Sequence, residues 1–192
     1  ILSINTNPTY AAFCTSYGRL MLWSEMNKLG GRVVYHDTDS IIFSSHLEQN
    51  LYVPQLGDYL GELTNELSCK EIGCKRVSCN GHWITEFVSC GPKNYAYKLN
   101  SGEVFCKVRG FTLNYHASQV LNFNTMKEAL YAWKLGKPKE IAIVKTEIRR
   151  SKLESTVFNT LVEKHYGVVY DKRKVLPTFF TIPYGYRLDV DL

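Results

Sequence analysis

Between Pro8 and Leu29 the apolar residues recur at helical spacing, with Tyr10, Phe13, Cys14, Tyr17 and Met21 on one side. The pattern predicts a helix with that stripe facing a core. Asn7 serves as its N-cap, Pro8 occupies the first helical position, and Gly30-Gly31 stops it. Two short β-branched runs follow, Val33-Val34-Tyr35 and Ile41-Ile42-Phe43. The polar residues between them predict a tight hairpin with Asp37 and Thr38 near its tip. A second helix is expected over Pro54 to Leu67. Strands are expected at about Trp83–Val88, Asn94–Leu99 and Glu103–Val108, the last after the turn Asn100-Ser101-Gly102. Beyond Gly110 the pattern changes to short helices, one from Asn114 to about Phe123. Another begins at Thr125, where Thr125 and Glu128 have capping-box spacing. After Pro138 the reading is an extended Ile141–Ile148, a helix-like Ser155–His165 and an extended Val168–Tyr170. These elements predict an α+β fold of antiparallel strands backed by helices, with a boundary near Gly110 and a smaller mixed portion after it.

The 192 residues, 45% of them hydrophobic, can build a packed core, which excludes a disordered chain. No apolar run approaches the roughly 18 residues of a membrane span, so no membrane partner is expected. The first residue is Ile1, and the start reads as the continuation of something longer. Six cysteines with no secretory segment point to reduced thiols in an intracellular protein. Charge is unevenly placed. Residues 1–92 hold 6 Lys and Arg against 9 Asp and Glu, a net of −3; residues 93–192 hold 17 against 9, a net of +8. A basic C-terminal half suggests a polyanion partner, and an acidic N-terminal half a cation site.

The chemistry concentrates in Tyr35-His36-Asp37-Thr38-Asp39-Ser40, between the two hydrophobic runs. In an extended chain Asp37 and Asp39 point to one side and Thr38 to the other. Paired carboxylates repel unless a cation lies between them. A hard ion such as Mg²⁺ accepts one or two protein carboxylates together with substrate phosphates. A bare Asp-x-Asp is also an ordinary polar turn, and the flanking residues decide between these readings. Tyr-x-Asp-Thr-Asp-Ser, with Val-Val before it and Ile-Ile-Phe after it, closely resembles motif C of family B DNA polymerases. The resemblance makes Asp39 the principal Mg²⁺ ligand and Asp37 the secondary one. Thr38 and Ser40 fall just behind them, with the Ser40 hydroxyl placed to orient a neighbouring carboxylate.

Two further stretches extend the likeness. Gly91-Pro92-Lys93-Asn94-Tyr95-Ala96-Tyr97 resembles the Lys-x-Tyr element of the protein-primed branch of that family, known from phages, linear plasmids and virus-like DNA transposons. It implies that Lys93 and Tyr95 hold the primer end. Lys107-Val108-Arg109-Gly110-Phe111-Thr112 looks like the start of the thumb, and Pro183-Tyr184-Gly185-Tyr186 like the end of transposon-type members. The resemblance covers roughly residues 5 to 187. It implies a palm portion over residues 1–110 and a thumb over 111–192. It also implies a two-ion site, primer–template DNA and deoxynucleoside triphosphates as partners, and a terminal protein as a candidate primer. Location would be the host nucleus or a viral or mobile-element replication site. Lys107, Arg109, Arg149 and Arg150 are the basic residues expected against duplex phosphates, and Lys107/Arg109 and Arg150/Lys152 are expected to face the same way in extended chain. The 192 residues contain neither the family's motif A aspartate nor its fingers helix, so the chain by itself is expected to be inactive.

Two rivals of other kinds remain. A nucleotide-sugar glycosyltransferase also uses Asp-x-Asp with a divalent ion, but gives no reason for the basic half or for Lys93-Asn94-Tyr95. A DNA-binding module without catalysis is the other. Cys69, Cys74, Cys79 and His82 lack the paired spacing of structural zinc and read as ordinary thiols and a histidine. His36, Trp23, Trp83 and Trp133 read as structural.

Overall fold

A computed structural model describes residues 6–45, 50–67, 82–178 and 180–183. It is an α+β protein with antiparallel sheets. Among the described residues no helix is long and apolar enough to cross a membrane. The chain divides into two compact units, Ile1–Ser68 and Cys69–Leu192, a division earlier than the one expected near Gly110. The reason lies in the second core: Phe111 and Leu113 pack against the same cluster as Val88, Ala96 and Val108, so the chain passes Gly110 without leaving it.

The first unit opens with α1 (Pro8–Leu29), capped as its sequence dictates. The Asn7 side chain accepts from the Tyr10 N–H at 3.1 Å, Pro8 begins the helix, and Gly30 leaves it at φ 59°. The stripe expected to face a core does not. Tyr10 and Phe13 are each 71% exposed, Tyr17 is 67% exposed, and Cys14 is exposed too. Packing begins only near the C-terminal end, where Leu29 is buried. There the Glu25 carboxylate meets the Lys28 ammonium at 2.6 Å and accepts from the Tyr52 hydroxyl at 2.5 Å. Lys28 first, then Tyr52, holds the Glu25 carboxyl below its ordinary range. Arg32 donates to the Tyr52 carbonyl and lies 5.9 Å from the Phe43 ring centroid. These contacts fasten α1 to the hairpin of β1 (Val33–Asp37) and β2 (Ser40–Phe43) and to the segment that follows. That segment forms no helix over Pro54 to Leu67. Gly61 sits at φ +94°, which a helix cannot accommodate, and the chain turns back so that the Gly57 N–H reaches the Leu63 carbonyl at 3.0 Å.

The second unit is built on a three-stranded sheet of β3 (Ile84–Ser89), β4 (Asn94–Leu99) and β5 (Val104–Val108), close to the expected strands. Its buried face presents Val88, Ala96, Cys106 and Val108 to two helices. Of these, α2 (Tyr115–Val120) is capped by Asn114, whose side chain accepts from the Ala117 N–H at 2.9 Å. The other, α3 (Phe123–Lys134), begins before Thr125, because Asn122 is the cap. Its amide oxygen takes the N–H groups of Asn124 and Thr125, and the Thr125 hydroxyl accepts from the Asn122 N–H at 2.9 Å. Thr125 is therefore the third helical residue, closing the capping box with Asn122, and Glu128 lies outside it, paired with Lys139 at 3.4 Å.

A two-stranded ribbon follows, β6 (Ile141–Ser151) and β7 (Thr156–Tyr166), in unbroken antiparallel register from Ile141↔Tyr166 to Ser151↔Thr156. The helix-like reading of Ser155–His165 is thereby overturned. Thr156, Val157, Thr160 and Val162 are β-branched and gain more from cross-strand packing than from a helix. The base of the ribbon, Ile141, Ile143 and Tyr166, is buried in the core. Residues 168–170 run past the sheet without joining it as a strand, and a short pair, β8 (Arg173–Val175) and β9 (Thr181–Pro183), ends the described chain.

Cys90 and Tyr166 are buried together in this core, with Tyr170 close by. Burial pushes the Cys90 thiol above its ordinary range and the Tyr166 hydroxyl far above its own. Burial, and then Cys90, takes the Tyr170 hydroxyl up to about 12. All three groups are uncharged when protonated, so their contribution to stability is full below the ordinary Cys and Tyr values and declines as pH rises through the shifted ones. The urea midpoint should therefore fall steadily from about pH 9 towards pH 12. In the folded protein at neutral pH a thiol reagent followed by mass spectrometry should label exposed Cys14 quickly and Cys90 only on unfolding. Equal labelling of both would contradict this core.

Candidate functional site

At the tip of the first hairpin, Asp37 pairs with Ser40, leaving Thr38 and Asp39 as a two-residue turn. The Asp39 N–H reaches back to the Asp37 carbonyl at 2.5 Å, a γ-turn centred on Thr38. Thr38 consequently adopts φ 45°, a region that a β-branched residue seldom enters. The extended alternation expected of Asp37, Thr38 and Asp39 thus ends at Asp37. Asp39 is exposed at the turn, while Asp37 is half-buried. Of the two hydroxyls, it is Thr38 that reaches a carboxylate, donating to Asp37 Oδ1 at 3.1 Å. Ser40 donates instead to the Asp37 main-chain carbonyl, also at 3.1 Å. Strain and local hydrogen bonds together hold two carboxylates at one exposed tip. The tip borders an open groove that Glu25, Lys28 and Glu62 also line.

Among the described residues no group of three or more His, Cys, Asp and Glu side chains converges on one point. The donor set at the tip nevertheless suits Mg²⁺. Asp39 offers an exposed hard oxygen donor and Asp37 a half-buried second, and this ion accepts one or two carboxylates while keeping waters and substrate phosphates. Cys69, Cys74 and Cys79 lie outside the described residues.

In the second unit Lys93 belongs to the turn between β3 and β4, and Tyr95 is the second residue of β4. Gly91 stands at φ +117° and Lys93 at φ 59°, and the Asn94 N–H closes the turn on the Gly91 carbonyl at 3.0 Å. Only glycine fits at 91, since a Cβ would lie 1.8 Å from the Val169 carbonyl oxygen. Sequence reading passed over Asn94. Its side chain donates to the Pro92 carbonyl at 3.2 Å and accepts from the Arg109 N–H at 3.0 Å, joining the turn to the end of β5. Lys107 is the cross-strand partner of Tyr95 and so stands on the same sheet face. Lys93, Tyr95, Lys107 and Arg109 are therefore gathered at one end of one sheet. Asp37 and Asp39 belong to the other unit.

That sheet face carries a further feature. Phe87, Tyr95, Tyr97 and Phe105 stack in succession, with centroids 5.9, 6.4 and 5.1 Å apart and planes within 29° of parallel. The row fixes the ring of Tyr95 from its side. The alternation Tyr95, Tyr97 was its only sequence signal. Arg149 and Arg150 are not brought together. Adjacent in β6, they stand on opposite faces of the ribbon, opposite Phe158 and Val157. Lys152 lies in the turn rather than in extended chain, so it does not continue the line of Arg150.

Compared with models of protein families, with curated proteins and with solved structures, the chain matches none.

Gly91→Ala should destabilise the second unit on the order of 2 kcal/mol, since it sets both a left-handed conformation and a backbone collision against the turn. Chemical unfolding measures the loss. An unchanged midpoint would show that the approach of Val169 to Gly91 does not hold in solution.

Proposed function

We propose that the chain provides the motif C hairpin and the DNA-contacting surface of a family B DNA polymerase of the protein-primed type. That enzyme adds deoxynucleotides to a primer 3′ end by nucleotidyl transfer. The observation that carries the reading is the hairpin tip, where Asp37 and Asp39 are held between two hydrophobic strands by a turn strained at Thr38. In this reading Asp39 and Asp37 hold Mg²⁺, together with the motif A aspartate that such an enzyme requires. Held there, such ions would supply positive charge to stabilise the attacking and leaving oxygens of nucleotidyl transfer. Thr38, by donating to Asp37 Oδ1, orients the secondary carboxylate. The gathering of Lys93, Tyr95, Lys107 and Arg109 on one sheet end supports a role in holding the primer end and its phosphates. Lys offers a mobile donor, and the stacked Tyr95 ring a rigid wall with one hydrogen-bonding hydroxyl. The net +8 of residues 93–192 favours a polyanion over a sugar nucleotide. A terminal protein as primer, and a viral or mobile-element replication site, belong to the same reading.

The 192-residue chain alone should not extend a primer. Joined to motif A and the fingers helix, it should do so. There Asp39→Asn should lower single-turnover nucleotide addition at least about a hundredfold while leaving primer–template affinity nearly unchanged. Asp37→Asn should be milder. Equal loss of rate and affinity for Asp39→Asn would make that residue structural, and release of sugar from a sugar nucleotide would replace the polymerase reading.

A further inference from the structure

The ribbon of β6 and β7 is buried at its base only. Beyond Lys145 its apolar residues are presented to solvent: Ile148 is 76% exposed, Val157 67%, Leu161 75%, and Leu153 in the terminal turn fully. The strands run roughly 35 Å, of which the part beyond Lys145 spans roughly 20 Å, a little over half a turn of a duplex. Two strands about 5 Å apart, with side chains on both faces, make a body close to the 12 Å width of the B-DNA major groove. Arg149 projects from one face and Arg150 from the other, with Lys152 in the turn between the strands. Such a pair cannot follow a single phosphate backbone. It is arranged to reach both walls of a groove at once.

We propose that the distal ribbon inserts into the major groove of duplex DNA. Arg149 then reaches the phosphates of one strand and Arg150 those of the other, while Ile148, Val157 and Leu153 lie against sugars and thymine methyls. This rests on the DNA-binding part of the reading above, and it adds the groove, the element and the direction of approach. Duplex DNA is favoured over a protein or lipid occupant by the match of width and by cations placed on both faces of the ribbon. Beyond Lys145 the ribbon carries Arg149, Arg150 and Lys152 against Glu147 and Glu154; Lys145 meets Glu147 at 2.7 Å and Arg149 lies 3.8 Å from it, so the distal ribbon stays net positive.

The test uses the 192-residue chain, fluorescence anisotropy and a 30-base-pair duplex, with the single strand of the same sequence and anionic phosphatidylserine vesicles as alternatives. Each of Arg149→Ala and Arg150→Ala should flatten the slope of log affinity against log salt by about 0.9, and the double variant by about twice that. Leu153→Ser combined with Ile148→Thr, which keeps β propensity, should weaken duplex binding at least fivefold at every salt concentration with the slope unchanged. Methyl green, a major-groove ligand, should compete, and netropsin, a minor-groove ligand, should not. A slope that responds to only one arginine, competition by netropsin alone, or preference for the single strand or for vesicles would overturn the insertion. If Lys93→Ala and Lys107→Ala abolish duplex binding while folded ribbon variants bind normally, the ribbon proposal falls and the DNA-binding reading stands. Absence of duplex binding by the folded chain overturns both.

Discussion

The backbone of Val169 lies against Gly91 so closely that its carbonyl oxygen occupies the place of a side chain, while its N–H donates to the Cys90 carbonyl at 3.0 Å. Much of the second unit depends on this approach. Cys90 also donates its N–H to the Asn94 carbonyl at 2.8 Å, and its thiol faces the Met126 carbonyl of α3 at 3.6 Å. One buried residue thus ties together the β3–β4 turn, α3 and the chain leaving the ribbon. The Tyr170 hydroxyl adds a bond to the Ser89 carbonyl at 2.6 Å, and its ring lies 5.1 Å from Trp133. The turn that carries Lys93 is therefore fixed from behind by the core.

The sheet above this core divides its work by pleat. Val88, Ala96, Cys106 and Val108 face inward, and Phe87, Tyr95, Tyr97, Phe105 and Lys107 face outward. Small residues such as Ala96 on the inner face let α3 approach, and Glu86 pairing with Lys127 at 2.8 Å joins strand to helix at the margin. Such an exposed pair is screened by solvent and contributes little, so the apolar face is what seats the helix. Among the described residues of the second unit, the outer aromatic row and the distal ribbon leave apolar area in solvent beside Lys and Arg side chains.

In the first unit the order is reversed, and polar contacts do much of the fastening. Glu25, Lys28, Arg32 and Tyr52 join helix, hairpin and following segment, while the apolar stripe of α1 stays in water. The hairpin tip then carries its strain at Thr38, beside the carboxylates.

Local signals in the chain determined much of this protein. Asn7-Pro8 and Gly30 bounded α1, the β-branched runs placed the first hairpin with its two aspartates at the tip, and strands β3 to β5 followed from alternation and turn residues. Each depends on neighbours within a few positions, where capping, left-handed turns and the pleat act. What only the tertiary structure decided was which surfaces are covered and which marginal segments become strands. The stripe of α1 has core periodicity, yet burial requires a partner surface that periodicity cannot supply. Thr156 to His165 is ambiguous alone and becomes a strand because β6 offers eleven paired positions. Asn94 and Gly91 owe their roles to Arg109 and Val169, which are distant in sequence. Arg149 and Arg150, both expected against duplex phosphates, stand on opposite faces of the ribbon, since adjacent residues in a strand face opposite ways.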